Sequence, residues 1–397
     1  MSIAMSPGFR LSYQSVLAYI SFDTVPAPKG AATHIQAFAR ALAAEFGGVE
    51  LVTAAAGAEC ISSMERWPGV IHTELPAVGV SLIDRVLCFR HYLSSWLAKR
   101  EFQAVQFRSP FEGMTVLKLS PRPRLVFEVN ALPSVELKYR YPEMVDDRVL
   151  MRKLLAQEQA CLEAADRVVT PSAVTLAYLA GNRGVDVSKI DVIPNGVDLA
   201  VFRPGHPPGA SFRLLYFGTL SAWQGVELGI RALQQAPATL TILGSGSDRQ
   251  RDALWGLAGK LGVASLVTIL PAVSQPELVN HLHRSHAALA LLALNDRNLD
   301  QGCCPLKILE AMAAGVPVIA TDLPVVRELG PHLLLVKPGS VDETAQAILR
   351  LRADPEFARD LSHRARAHVE HNFTWERAGA ELVDVYEELG IRRLSTV

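Results

Sequence analysis

The residues best suited to chemistry in this chain lie in the segment GCCPLKILEAMAAGVPVIATDLP (302–324). Pro305 suits the start of a helix, Lys307 to Ala314 are good helix formers, and Gly315 suits the helix end. The first turn of a helix presents unpaired N–H groups and the positive end of the dipole, which suit a phosphate. Lys307 and Glu310 share roughly one face of that turn. A carboxylate at Glu310 can accept hydrogen bonds from two vicinal hydroxyls, such as those of a ribose. The same pattern also fits an ordinary amphipathic helix with an exposed glutamate.

Three further segments could meet a ligand. In LLYFGTLSAWQGVELGIRAL (214–233) a strand ends at Gly218, and Gly225 opens a helix. Open parallel sheets bind ligands beyond the carboxyl ends of their strands, and glycines let backbone approach closely. LGSGSD (243–248) makes a similar turn at Gly244, and both fit a plain strand–helix connection equally well. In VIPNGVDLAVFRP (192–204), Asn195-Gly196 is a strong turn signal that could face a cleft or merely join two domains.

The elements that must position these segments alternate along the chain. SVLAYISF (15–22), VELVTAA (49–55), AVQF (104–107), RLVFEV (124–129) and RVVTPS (167–172) are expected strands. HIQAFARALAAEF (34–46) has helical spacing at Ile35, Phe38, Leu42 and Phe46. After the turn-rich RPGHPPGAS (203–211) the pattern restarts with RLLYFG (213–218), TLTILG (239–244), VTIL (267–270) and AALALLAL (287–294), separated by helices. Alternation of this kind implies an α/β fold with parallel sheets and right-handed crossovers. The expected division is residues 1–205, residues 206–373, and a closing helix in 374–397 with Trp375, Ala378, Leu382, Val385 and Leu389 on one stripe.

Composition bounds the function. With 397 residues, 49% apolar and 20% charged, the chain can build two cores. A net charge of −1 offers no global basic excess, so no nucleic-acid partner is expected. The five cysteines (Cys60, Cys88, Cys161, Cys303 and Cys304) form no Cys-x-x-Cys pair, which argues against a structural zinc site and for a reducing compartment. The first residues lack a signal-peptide pattern, and no apolar run is long enough to span a bilayer. A cytoplasmic protein is expected, at most peripheral on the inner face of a membrane.

At IPNGVDLAVFRP, ILEAMAAGVPVIATDLPVVRELG and ADRVVTPS, supported by the closing FTWE…Y, the chain resembles the retaining glycosyltransferases of family 4. The resemblance implies the GT-B fold, two Rossmann-like domains with parallel sheets facing across a cleft. It implies a nucleoside diphosphate sugar as donor, no cofactor and no metal, and a glycan, lipid-linked or small-molecule acceptor on the N-terminal domain. Glu310 should hold the ribose. Pro305, Leu306 and Lys307 should face the sugar and diphosphate, and Gly218, Thr219, Gln224 and Gly225 the phosphates. Gly244 and Val273 should lie near the base. Gly30 and Asn195 complete the expected donor-binding set, Gly30 in a glycine loop close to the donor. The last helix should cross back to the N-terminal domain.

Three positions depart from the family pattern. Gly302 stands where a first carboxylate is often found, Thr219 and Gln224 stand where Arg and Lys usually neutralise the diphosphate, and Asn130 stands where His is frequent. Lys307 is expected to restore part of the lost charge. Asn130 cannot act as a general base and would orient substrate by hydrogen bonding. Glu128 is the other candidate catalytic residue, with only one of Glu128 and Asn130 expected to face the cleft. Eight cations between residues 85 and 124, with the apolar stripe Leu82, Val86, Phe89, Leu93 and Trp96, fit either an anionic lipid surface or a core-packed helix with solvated charges. Rival functions are a catalytically degenerate partner of another transferase and a sugar epimerase. A nicotinamide dehydrogenase would need a Gly-x-Gly-x-x-Gly after the first strand, which is absent.

Overall fold

A computed structural model of the chain describes residues 16–393 except positions 56, 58–60, 142–143, 145, 206–208 and 210. Cys60 and the ends of both termini therefore lie outside the described residues, as do parts of the turn-rich 203–211 segment.

Two sheets organise the molecule. The first contains β1 (Leu17–Ile20), β2 (Val49–Ala54), β3 (Ser62–Trp67), β4 (Val70–Leu75), β5 (Ala104–Phe107), β6 (Arg124–Glu128), β7 (Arg167–Thr170) and β8 (Ile190–Val192). Their spatial order is β3-β4-β2-β1-β5-β6-β7-β8. The second contains β9 (Arg213–Phe217), β10 (Thr239–Leu243), β11 (Val267–Leu270), β12 (Ala287–Ala290), β13 (Val318–Thr321) and β14 (Leu334–Val336), in the order β11-β10-β9-β12-β13-β14. In each sheet the order reverses beside the first strand, which opens a crevice at the carboxyl ends of β1 and β5, and of β9 and β12.

The strands are short and nearly continuous in apolar residues because helices cover both faces. On the first sheet these are α1 (Gly30–Phe46), α2 (Leu82–Leu97), α3 (Pro110–Val116), α4 (Pro133–Arg140), α5 (Arg148–Ala164) and α6 (Ala173–Arg183). On the second they are α7 (Val226–Ala232), α8 (Asp248–Lys260), α9 (Gln275–His283), α10 (Leu306–Ala313), α11 (Pro324–Arg327), α12 (Val341–Ala353) and α13 (Pro355–Asn372). Local sequence sets several starts. Ser81 with Asp84, Ser109 with Glu112, and Ser247 with Gln250 form reciprocal capping boxes.

The chain leaves the first domain through residues 193–204 and returns beside them, with Val197 bridging Thr374. The closing helix α14 (Trp375–Glu388) then packs on α1 of the first domain. Its buried face is Ala378, Leu382, Val383, Val385 and Tyr386, set against Phe38, Leu42 and Phe46. The Tyr386 hydroxyl donates to Gln106 at 2.9 Å, which fixes the helix register over β5.

Several expectations change. The first sheet is not wholly parallel: β3 runs antiparallel to β4 at the edge. AALALLAL is strand only as far as Ala290, and Leu291 and Leu292 continue as buried loop. The stripe on α2 faces the core, with Val86, Phe89, Leu93 and Trp96 buried and Leu82 half-buried, while Ile83 and Leu87 of the same helix are exposed. The nearby cations are largely committed within the protein. Arg90 donates to the Phe111 and Pro110 carbonyls, Arg100 stacks on Trp96, and Arg122 and Arg124 pair with Asp166. No helix among the described residues is long and apolar enough to cross a membrane.

Candidate functional site

A cleft of about 1760 Å³ separates the two domains. Gly30, Asn130, Asn195, Gly218, Thr219, Gln224, Gly244, Val273, Pro305, Leu306, Lys307 and Glu310 all line it. The parallel sheets place their carboxyl edges here, so loops far apart in sequence converge. Gly30 opens α1, and Leu306 reaches across from the second domain so closely that a methyl at Gly30 would stand 2.9 Å from its Cδ1.

Two of the expected residues lie elsewhere. Gly225 does not line the cleft. Its φ of 62° and a would-be Cβ only 1.8 Å from the Leu291 carbonyl oxygen show that glycine is required by packing against the end of β12. Glu128 lies beneath the cleft surface rather than on it. Of Glu128 and Asn130 only Asn130 lines the cleft, though not for reasons of strand parity, since residues two apart share a face. Glu128 ends β6 buried, and Asn130, just past the strand, donates its amide nitrogen to it.

Glu128 is a structural anion. Tyr19 and Gln106 donate to its Oε2 at 2.5 and 2.7 Å. Arg108 donates to its Oε1 at 2.7 Å, and Nε2 of His34 lies 2.8 Å away. Burial by itself would raise the carboxyl, but Arg108 and His34 outweigh it and hold the group well below the usual carboxylate range. A carboxylate so held has no tendency to take a proton from an acceptor hydroxyl. Asn130 keeps its Oδ1 free of protein partners among the described residues, so it can accept a substrate hydrogen bond.

On the other wall, the Lys307 ammonium sits 4.3 Å above the Tyr216 ring and donates to Gln224. Burial pushes it down to about 7. Burial also pushes Glu310 up to about 7, with Lys307 pulling the other way. Both are half-buried, Lys307 in the first turn of α10 beside the unpaired N–H groups of Leu306 and Lys307, and Glu310 at the start of the next turn; the Ile308 N–H already donates to the Pro305 carbonyl at 3.0 Å. Gly302 is the residue that the neighbouring domain demands, because a Cβ there would lie 2.8 Å from both the Ser172 and Thr175 hydroxyls. A carboxylate at that position would collide with the start of α6.

Sequence reasoning missed several cleft residues because their partners are remote in the chain. His34, whose Nδ1 is 2.7 Å from Asn195 Oδ1, read only as the first residue of a helical segment. Arg297 pairs with Glu136 at 2.8 Å and lies 5.3 Å over Trp223, closing one end of the cleft from both domains. Arg108 joins Glu128 to Asp23, and Asp23 also pairs with Lys29 at 2.7 Å. Among the described residues no three His, Cys, Asp or Glu side chains group as metal ligands would.

Two Rossmann-like domains closing on a single cleft define a GT-B protein. The model of the Glycosyltransferase Family 4 domain matches residues 28–201, and that of Glycosyl transferases group 1 matches residues 211–354. The chain belongs to the family 4 glycosyltransferases of GT-B fold. It is 31% identical over 248 residues to the D-inositol 3-phosphate glycosyltransferase of Mycobacterium marinum, covering 58% of this chain and 51% of that protein. The Nocardia farcinica protein of the same name is 30% identical over 62% of this chain and 56% of its own length. The chain thus spans about half the length of the curated relatives it matches. Among solved structures, sucrose-phosphate synthase from Thermosynechococcus elongatus superposes with a TM-score of 0.80 at 22% identity, covering 94% of this chain and 99% of that one. Anabaena HepE in complex with UDP-glucose superposes at 0.73 with 16% identity, covering 94% and 99%.

Proposed function

We propose that the protein transfers a sugar from a nucleoside diphosphate sugar to an acceptor hydroxyl with retention of anomeric configuration and without a metal. The observation that carries this reading is Lys307 with Glu310 on successive turns at the start of α10, facing the cleft beside Gly218, Thr219 and Gln224. Glu310 accepts the ribose hydroxyls, the helix N–H groups and Lys307 hold the diphosphate, and the turn at Gly244 with Val273 meets the base. Lys307 replaces the cations missing at Thr219 and Gln224. Asn130 orients the sugar or acceptor. The reading has no protein general base, so the acceptor proton passes to the departing phosphate on the same face. We favour a small anionic acceptor over a glycan or a lipid-linked one. Arg40 and Arg85 line the cleft on the first domain, and the curated relatives carry a phosphorylated compound, D-inositol 3-phosphate, in their name.

Thermal shift of the purified protein with UDP, GDP, ADP and their sugar conjugates tests the donor site. A ligand at a hundredfold excess over Kd adds about 2.7 kcal/mol of apparent stability. A shift with one nucleotide supports the reading and identifies the base. No shift with any at saturation favours the second reading, a degenerate partner of another transferase, which the Thr219 and Gln224 substitutions motivate.

A further inference from the structure

We infer that Glu128 anchors a buried relay across the cleft, in which His34 is an imidazolium cation and Asn195 is the arm that positions the loop Cys303–Leu306. The inference rests on reading that loop as part of the donor site. Nδ2 of Asn195 donates to the Cys304 carbonyl at 2.7 Å. Oδ1 is therefore the amide atom that faces His34, 2.7 Å from Nδ1, and Nδ1 must carry a proton. On the other side of the ring, Nε2 lies 2.8 Å from Glu128 Oε1. A bare nitrogen would set its lone pair against an anion there, whereas a protonated one makes an ion pair. The contact is bent, an ion pair rather than an aligned hydrogen bond. The Phe38 ring, centred 4.0 Å away, and Trp375, 5.7 Å away, suit a cation, and Arg108, which shares Glu128 Oε1 with His34, has Asp23 as a second carboxylate partner.

His34 and Asn195 are both buried, so the relay is shielded from water. The same Glu128 oxygen that faces His34 also receives Asn130. One carboxylate thus sets Asn130 on the acceptor side and, through two side chains, the carbonyl that precedes Pro305 on the donor side. His34 and Asn195 act through that loop and are positioning residues.

NMR of the full-length protein with isotope-labelled histidine reads nitrogen protonation directly. The expected spectrum includes a histidine signal with both nitrogens protonated that is lost in His34→Gln and shifted at Nδ1 in Asn195→Ala. A His34 signal with one bare nitrogen overturns the relay. The affinities of UDP and GDP are then measured for His34→Gln, Asn195→Ala and the double variant. Each single change should weaken the bound nucleotide about tenfold, the loss of one charge-assisted bond. The double change should cost no more than the larger single, because both break the same chain. Losses that multiply, or no loss at all, overturn the relay. If the unaltered protein binds neither nucleotide, the donor-site reading fails while the NMR experiment still decides the relay. Asn195→Ala removes one amide and serves if His34→Gln does not fold.

Discussion

Replacing Lys307 with methionine keeps the hydrophobic stem over Tyr216 and removes the charge. In the proposed complex the ammonium is the one cation contributed by α10 to the diphosphate, since Gln224 and Thr219 are neutral. A hydrogen bond to a charged group is worth about 1.5–3 kcal/mol, so nucleotide affinity should fall about tenfold to a hundredfold. The pH dependence is more diagnostic. Burial holds Lys307 at about 7, so above that pH the free protein carries it mostly neutral, and binding a diphosphate must take up a proton. Affinity should therefore fall as pH rises above 7. Glu310 is pushed up to about 7 and must be ionised to accept the ribose, so affinity should also fall as pH drops below 7. Calorimetric titration with UDP and GDP in two buffers of different ionisation enthalpy should show a maximum near neutrality, with proton uptake on the alkaline side. Lys307→Met should abolish the alkaline limb and Glu310→Gln the acid limb. Unchanged affinity in Lys307→Met, or an alkaline limb that persists without the ammonium, refutes the assignment.

Other consequences are as direct. Glu128→Gln leaves the buried Arg108 guanidinium with Asp23 as its remaining carboxylate partner and should cost less than the about 3–5 kcal/mol of a fully uncompensated buried charge in urea unfolding at neutral pH. Because the folded carboxyl lies below its ordinary value of 4.5, that stability is present above 4.5 and is lost as pH falls, so the gap between the two proteins should close in acid. Gly225→Ala forces a side chain into left-handed backbone against the Leu291 carbonyl and should lose about 2 kcal/mol or more, read as a lower urea midpoint at constant slope. Flotation with anionic vesicles at low salt should recover no protein beyond the neutral-vesicle control, since the α2 stripe is core. Salt-sensitive flotation would contradict this.

The sequence alone determined the fold class and the neighbourhood of the cleft. Short apolar runs alternating with amphipathic stretches have no stable solution but helices packed on parallel sheets, and strand ends at Gly218 and Gly244 must then lie on one edge of a sheet. Lys307 and Glu310 were legible for the same reason, since a helix start with those side chains is a local fact. What only the tertiary structure decided was how the groups are used. Gly225 and Gly302 look like ligand-facing or departed positions in sequence, yet each is glycine because backbone or hydroxyls from elsewhere fill the space a Cβ would need. Glu128 looks like a reacting carboxylate, yet Tyr19, Gln106, Arg108, His34 and Asn130 surround it. The stripe on α2 reads equally well as a lipid face until Phe89 and Leu93 are seen inside the core. Local propensity and periodicity travel along the chain, while desolvation and charge pairing depend on groups brought close by folding, and a carboxylate's role is set by those neighbours rather than by its own chemistry.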